Sequence, residues 1–141
     1  MADVPDLLAQ LQAINRCAEF NRWCGLEVIS ADPGQAQIAM PWRKEFGQYS
    51  GFLHAGLVAA PIDTACGYAA GTLVGPNVLA AHFDVNCLRP AIGKRFVARA
   101  RVVRAGKLQV FTSCELFAET EAGEQLVATG ETLLSVVKGK A

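Results

Sequence analysis

From Gly51 to Phe83 the chain reads GFLHAGLVAAPIDTACGYAAGTLVGPNVLAAHF, small and apolar almost throughout, and carries one formal charge, Asp63. No other stretch restricts the fold as much, because a run this oily has to be enclosed by a bilayer or by the rest of the protein. Pro61, Pro76, Asn77 and several glycines interrupt it, and a carboxylate near a bilayer centre is costly. The Ala and Leu content after Phe52, over about 17 residues, favours helix over strand. The expectation is a long helix buried inside a soluble fold, with no membrane involved.

Around that helix the patterning is legible in short pieces. Leu7, Leu8, Leu11, Ile14 and Ala18 recur at spacings of three and four behind Asp3, a candidate N-cap, and Pro5, which predicts one amphipathic helix. Asp32-Pro33-Gly34 lies between Leu26–Val28 and Gln35–Met40 as a turn between two extended runs, a first hairpin. Beyond Gly75-Pro76-Asn77 come four extended runs, 78–88, 95–104, 108–118 and 125–137. In the second, Phe96, Ala98, Ala100 and Val102 alternate with Val97, Arg99, Arg101 and Val103, as in a half-buried strand. The joints Pro90-Ala91-Ile92-Gly93, Ala105-Gly106-Lys107 and Thr120-Glu121-Ala122-Gly123 are short turn sequences, which predict an antiparallel meander. The fold class is therefore α+β, an antiparallel sheet curled around one central helix with an extra helix at the N-terminus. The expected organisation is a single domain over 1–141, with a helical segment at 1–24 and the core at 25–137.

Several function classes drop out. Thirteen basic and thirteen acidic residues cancel, with no like-charge block longer than two, so no nucleic-acid footprint is present. The first residues have no basic n-region and no long apolar run, so a cytoplasmic location is expected. Cys17, Cys24, Cys66, Cys87 and Cys114 are odd in number and widely spaced, which suits buried free thiols better than disulfides or zinc. His54 and His82 have no carboxylate three or four residues away, so a metal site is not expected, and no phosphate-loop, nucleophile-elbow or dinucleotide motif occurs.

What remains is Asp63 and its surroundings. Pro61 disturbs helical hydrogen bonding, so Asp63 can be read as a cap on a helix restarted there. It can equally be read as a partly desolvated carboxylate whose raised pKa makes it a base or nucleophile. His54, Gln48, Tyr49 and Ser50 taken singly are ordinary loop or helix-end residues. Eight helical rises separate Ala55 from Asp63, about 12 Å.

His54-Ala55-Gly56, six further residues and then Asp63-Thr64-Ala65 together resemble the active-site segment of hotdog-fold acyl-CoA thioesterases, in particular the phenylacetate-pathway (PaaI-like) and 4-hydroxybenzoyl-CoA thioesterase group. Leu88-Arg89-Pro90-Ala91-Ile92-Gly93 and Ala128-Thr129-Gly130 resemble two further segments of that group, so the likeness runs from about Gly25 to Val137 in order and spacing. The resemblance implies a sheet wrapped around one helix and hydrolysis of an acyl-CoA or aryl-CoA to the free acid and coenzyme A. It implies no metal or organic cofactor, coenzyme A being part of the substrate. Asp63 would be nucleophile or general base, the Ala55 amide, with Gly56 beside it, would polarise the thioester carbonyl, Gln48 would bind carbonyl or water, and His54 would orient substrate. Phe46, Tyr49, Phe52 and Tyr68 would line the acyl slot, and Arg89, Arg101, Arg104 and Lys107 would meet the phosphates of coenzyme A.

One straight helix cannot bring Ala55 and Asp63 to the same carbonyl carbon. A homodimer with shared active sites is expected, and a homotetramer of such dimers, although which sheet faces pair is left open. Ala55 replaces the group's usual first glycine, and Ala80 stands where relatives often carry Ser or Thr to hold the water. Two alternatives follow: a dimeric acyl-CoA or lipophilic-ligand binder without catalysis, and a hydroxyacyl-thioester dehydratase on the same fold.

Overall fold

The computed structural model describes residues 6–138. Helix α1, Leu7–Cys17, is capped by Asp6, whose side chain accepts from the Ala9 N–H at 3.0 Å; the expected cap Asp3 lies outside the described residues. The N-terminal helix is not continuous. Ala18 is extended (φ −92°, ψ 121°) and a second helix, α2, Glu19–Cys24, follows and ends on Gly25 in the left-handed region (φ 70°). The break is held by polar contacts that hydrophobic spacing does not register: Asn15, buried on the inward phase after Leu11, donates to the Leu26 carbonyl at 2.7 Å and accepts from Asn21 at 3.0 Å.

Strands β1 (Glu27–Asp32) and β2 (Gln35–Pro41) form the expected hairpin, with Gly34 at φ 78°. A single 3-10 turn, Lys44–Phe46, leads into helix α3, Ala55–Val74, and strands β3 (Val78–Cys87), β4 (Arg95–Ala105), β5 (Gln109–Thr120) and β6 (Gly123–Val136) complete the chain. The sheet is six-stranded and antiparallel in the order β1-β2-β4-β5-β6-β3. Only β4-β5-β6 is a meander, because Pro90 to Gly93 is a crossing rather than a hairpin turn and β3 lies on the far edge beside β6. Short turn residues say where a strand ends and nothing about which neighbour it takes.

The sheet is narrow-walled where α3 lies. Ala36 faces Ala100, Ala100 faces Cys114 and Cys114 faces Gly130, while Ile38, Ala98, Leu116 and Ala128 make the adjacent row. These small residues let α3 approach closely with Val58, Ile62, Ala65, Cys66 and Ala69 inward, all buried. By length and composition α3 could cross a membrane, yet it packs against all six strands as the core helix of the fold. It runs unbroken through Pro61, whose ring is buried and whose missing N–H leaves one bond of the helical ladder unmade. Cys24, Cys66 and Cys114 are buried as expected, whereas Cys17 and Cys87 are exposed.

Gly130 is the tightest point of this packing. A Cβ there would stand 2.7 Å from Ile62 Cγ2 and 2.8 Å from the Asp84 carbonyl oxygen, a backbone atom that cannot rotate away. Gly130→Ala is expected to destabilise the fold by about 1–3 kcal/mol, read as a lower denaturant midpoint at unchanged slope.

Candidate active site

The start of α3 is built by a cross-braced loop. Gln48 N–H donates to the Phe52 carbonyl (2.8 Å), His54 N–H to Phe46 (2.9 Å) and Leu53 N–H to Ala91 (3.2 Å), so the crossing segment 88–94 buttresses the helix entrance. His54 is the N-cap, and its Nδ1 accepts from the Gly56 N–H at 2.8 Å. The imidazole thus occupies the Gly56 amide, and in the neutral ring its proton sits on Nε2. No hydrogen bond among the described residues takes up the Ala55 N–H, the first of the amides a helix leaves free. It stands exposed at the positive end of a 20-residue helix.

Ala55 opens onto a cavity of about 530 Å³ shared with Gln48, Tyr49, Phe52, His54 and Arg89. The Gln48 Oε1 accepts from the Ser50 N–H, and among the described residues no acceptor takes up its amide N–H groups. Three expected residues, Gln48, His54 and Ala55, are therefore brought to one cavity with Tyr49, Phe52 and Arg89.

Asp63 lies elsewhere. It lines a second cavity of about 650 Å³ between α1, α3 and the start of β3, together with Thr64, Tyr68, Ala80 and Leu134. Among the described residues its carboxylate caps nothing, and Oδ1 accepts from Thr132 Oγ1 at 3.5 Å. Burial pushes the Asp63 carboxyl above its ordinary range, and the Thr132 hydroxyl draws it part of the way back. Ala80 brings no hydroxyl from β3 at this point; Thr64, Tyr68 and Thr72 carry the hydroxyls that line the cavity, and Thr132 bonds Asp63.

Other expected positions separate from both cavities. Phe46 is fully buried in the core, edge-on to Trp23 with a ring-centroid distance of 5.3 Å, and so does not line an acyl slot. Arg101 projects from the outer face of the sheet into a polar groove with Asp84, Glu115 and Glu131. Arg104 and Lys107, at the end of β4 and in the following turn, line neither cavity. Thr132 and Asn21 escaped the sequence reading, although both left a trace: Thr132 occupies the inward phase of β6 between Gly130 and Leu134, and Asn21 belongs to the break between α1 and α2. Among the described residues no group of three or more His, Cys, Asp or Glu side chains could hold a metal ion.

Comparison with known proteins agrees with this architecture. The profile of the thioesterase superfamily matches residues 50–124. The chain is similar to acyl-coenzyme A thioesterase 13 of Homo sapiens, 29% identical over 123 residues, covering 85% of this chain and 86% of that one. A thioesterase family protein from Silicibacter pomeroyi superposes with a TM-score of 0.90 at 32% identity, over 94% of this chain and 99% of the other. Zebrafish thioesterase superfamily member 2 shares the fold with a TM-score of 0.80 at 23% identity, over 92% and 98%.

A carboxyl whose folded pKa is raised binds protons more tightly in the native state, so its contribution to stability is greatest below the unfolded value of 3.8 and is lost as pH rises through the folded one. Asp63→Asn is expected to raise Tm at pH 7, with the gain shrinking as pH falls toward 3.8. Thr132→Val removes the bond that favours the carboxylate, and the Asp63 carboxyl should titrate at higher pH, read by the pH dependence of its carbon NMR shift.

Proposed function

This chain belongs to the thioesterase superfamily and is a thioester hydrolase, and we propose that it acts on acyl-CoA or aryl-CoA at a site shared between two subunits. The observation that carries this reading is the separation of Asp63 and the Ala55 amide into different cavities of one chain, about 12 Å apart along a single helix. Two α3 helices related by a two-fold axis would set Asp63 of one subunit beside Ala55 of the other, and two identical sites would result.

The exposed surfaces support such pairing. Seven of the twenty residues of α3 are buried, although the helix is apolar on every side. Among the described residues strand β3 pairs on one edge only, with β6, and Leu79 and Phe83 on it are 53% and 45% exposed, a surface of the kind that marks an interface. The polar outer face around Arg101 and Glu131 would then serve the pairing of dimers into a tetramer.

In the proposed reaction the substrate carbonyl receives the Ala55 N–H and a Gln48 N–H, donors aimed at the oxygen that becomes negative. Asp63 takes a proton from water as that water attacks, and the tetrahedral intermediate collapses to the free acid and the thiolate of coenzyme A, which takes up the proton; in the direct route the carboxylate attacks, the thiolate leaves a mixed anhydride on Asp63, and water hydrolyses that anhydride to the free acid and regenerates the carboxylate. Its raised pKa makes Asp63 a stronger base than an exposed carboxylate. Arg89, exposed at the rim of the Ala55 cavity, would meet the coenzyme A end. The motif His54-Ala55-Gly56 followed by Asp63-Thr64-Ala65 supports a reading within the PaaI-like group, and the proposed reaction calls for no metal or organic cofactor.

Free-thiol release from a panel of acyl-CoA and aryl-CoA thioesters tests the activity. Proline is tolerated at the first position of a helix and has no N–H, and His54 already has the extended backbone that a following proline requires (φ −61°, ψ 139°). Ala55→Pro should therefore fold and lose about 10²–10³-fold in kcat. Asp63→Asn should be comparably impaired, and random mixing of the two inactive variants should restore about a quarter of wild-type activity, because half the dimers then carry one intact site. No recovery on mixing would place both groups in one subunit and overturn the shared site.

A further inference from the structure

A water that attacks the thioester has two protons to place. One passes to Asp63 as the carbon–oxygen bond forms; the other needs a second acceptor, without which the water's lone pair is not held on the carbonyl carbon. Thr132 donates to Asp63 Oδ1, and no hydrogen bond among the described residues uses Oδ2, so Oδ2 is left to take the first proton. The side chains around the Ala55 amide offer no seat for the second. Gln48 turns Oε1 back onto its own loop, to the Ser50 N–H, and His54 Nδ1 receives the Gly56 N–H, so both present N–H groups to the cavity. Arg89 has no acceptor, and Tyr49 is fully exposed. On the Asp63 side, Thr132 is buried with its proton on Oδ1. Tyr68 lies about 7.5 Å further along α3 and Thr72 about 13.5 Å; the first is tied to Asn15 and Asn21, the second to Gly34 and Ala69. Gln10 belongs to α1, on the wall across from α3. Thr64 remains. It is half-buried, lines the cavity next to Asp63, and its hydroxyl makes no hydrogen bond among the described residues, not even the bond to the preceding turn that Thr72 makes with the Ala69 carbonyl at 2.6 Å.

Resting on the reading of Asp63 as the catalytic carboxylate, we propose that Thr64 holds the hydrolytic water, its Oγ1 accepting one proton of the water while Asp63 Oδ2 accepts the other. The two residues are consecutive, so water and base come from one subunit and the carbonyl donors Ala55 and Gln48 from its partner copy. A hydroxyl on β3 could serve the same water, but Ala80 supplies none and the helix carries the function instead. In the step itself the O–H bond to Oδ2 breaks as the water oxygen bonds the carbonyl carbon. The tetrahedral intermediate then breaks its carbon–sulfur bond, the thiolate takes the proton from Oδ2, and the proton on the Thr64 side stays with the acid. With a water seated there, Asp63 works as general base and no anhydride forms.

The test measures kcat and KM for the wild type, Thr64→Val, Thr64→Ser and the double variant Thr64→Val with Ala80→Ser, on the thioester of the panel that turns over fastest. Valine keeps the shape of threonine without its hydroxyl. Thr64→Val is expected to lose about tenfold in kcat at a KM within about twofold of wild type, because Thr64 touches the water and not the acyl chain. Thr64→Ser should keep the rate that Thr64→Val loses. Adding Ala80→Ser to Thr64→Val should recover most of it, since that substitution presents a hydroxyl to the same cavity from β3. A purely structural Thr64 would lower Tm in Thr64→Val and leave nothing for a hydroxyl on another strand to repair. A kcat in Thr64→Val equal to wild type, or a loss that neither Thr64→Ser nor Ala80→Ser repairs, overturns the assignment. Asp63→Asn run alongside separates the two readings. Activity lost there but kept in Thr64→Val removes the held water alone, whereas activity kept in Asp63→Asn, or absent from the wild type on every thioester, removes the catalytic carboxylate and the held water with it.

Discussion

Ile62, Ala65, Cys66 and Ala69 of α3 are fully buried against a sheet surface made shallow by Ala36, Ala98, Ala100, Ala128 and Gly130, and the remaining geometry follows from that contact. Because the small residues set how near the helix comes, they also set where its polar positions fall. Asp63, next to the inward Ile62, reaches the flank of the contact, close enough to Thr132 for a hydrogen bond and dry enough for its pKa to rise. A roomier groove would leave the carboxylate solvated and ordinary. A tighter one would have to pair it or neutralise it.

The two parts of the proposed site are held by different means. Asp63 is placed by core packing in the middle of a helix. The Ala55 amide is placed by loops: the segment 88–94, carried across the end of the sheet because β3 sits at the far edge, lends the Ala91 carbonyl to Leu53 and brings Arg89 to the cavity rim. His54 caps the second helical amide and so defines which amide remains open. The long crossing that the turn residues fail to announce is therefore what assembles the helix entrance.

Much of the fold was legible in the chain. The boundaries of the hairpin, of α3 and of the last four strands agree with the structure to within a few residues, because each is bounded by Gly, Pro or Asn and carries its own period. The edge position of β3 was not legible, since Val78 to Cys87 is as apolar as an interior strand although nearly all of it is exposed. Nor was the break at Ala18, which depends on contacts of Asn15 and Asn21 with the Leu26 carbonyl and Tyr68. At the site, Asp63, Ala55, His54 and Gln48 stood out because their spacing resembles a known motif. Phe46 and Arg101 were assigned by residue type, and type does not say which side of the fold a residue faces.

By itself the sequence determined that an apolar helix with one carboxylate would form the centre of an antiparallel sheet, since hydrophobic period and turn chemistry are local properties. It also determined, from helical rise alone, that Ala55 and Asp63 lie about 12 Å apart along one helix. Only the tertiary structure decided that Thr132 meets Asp63, that Asn21 and Tyr68 share its cavity and bond each other, and that Phe46 is core. Those are contacts between residues tens of positions apart, and they exist only because chain topology and close packing, which no local pattern encodes, bring the elements together.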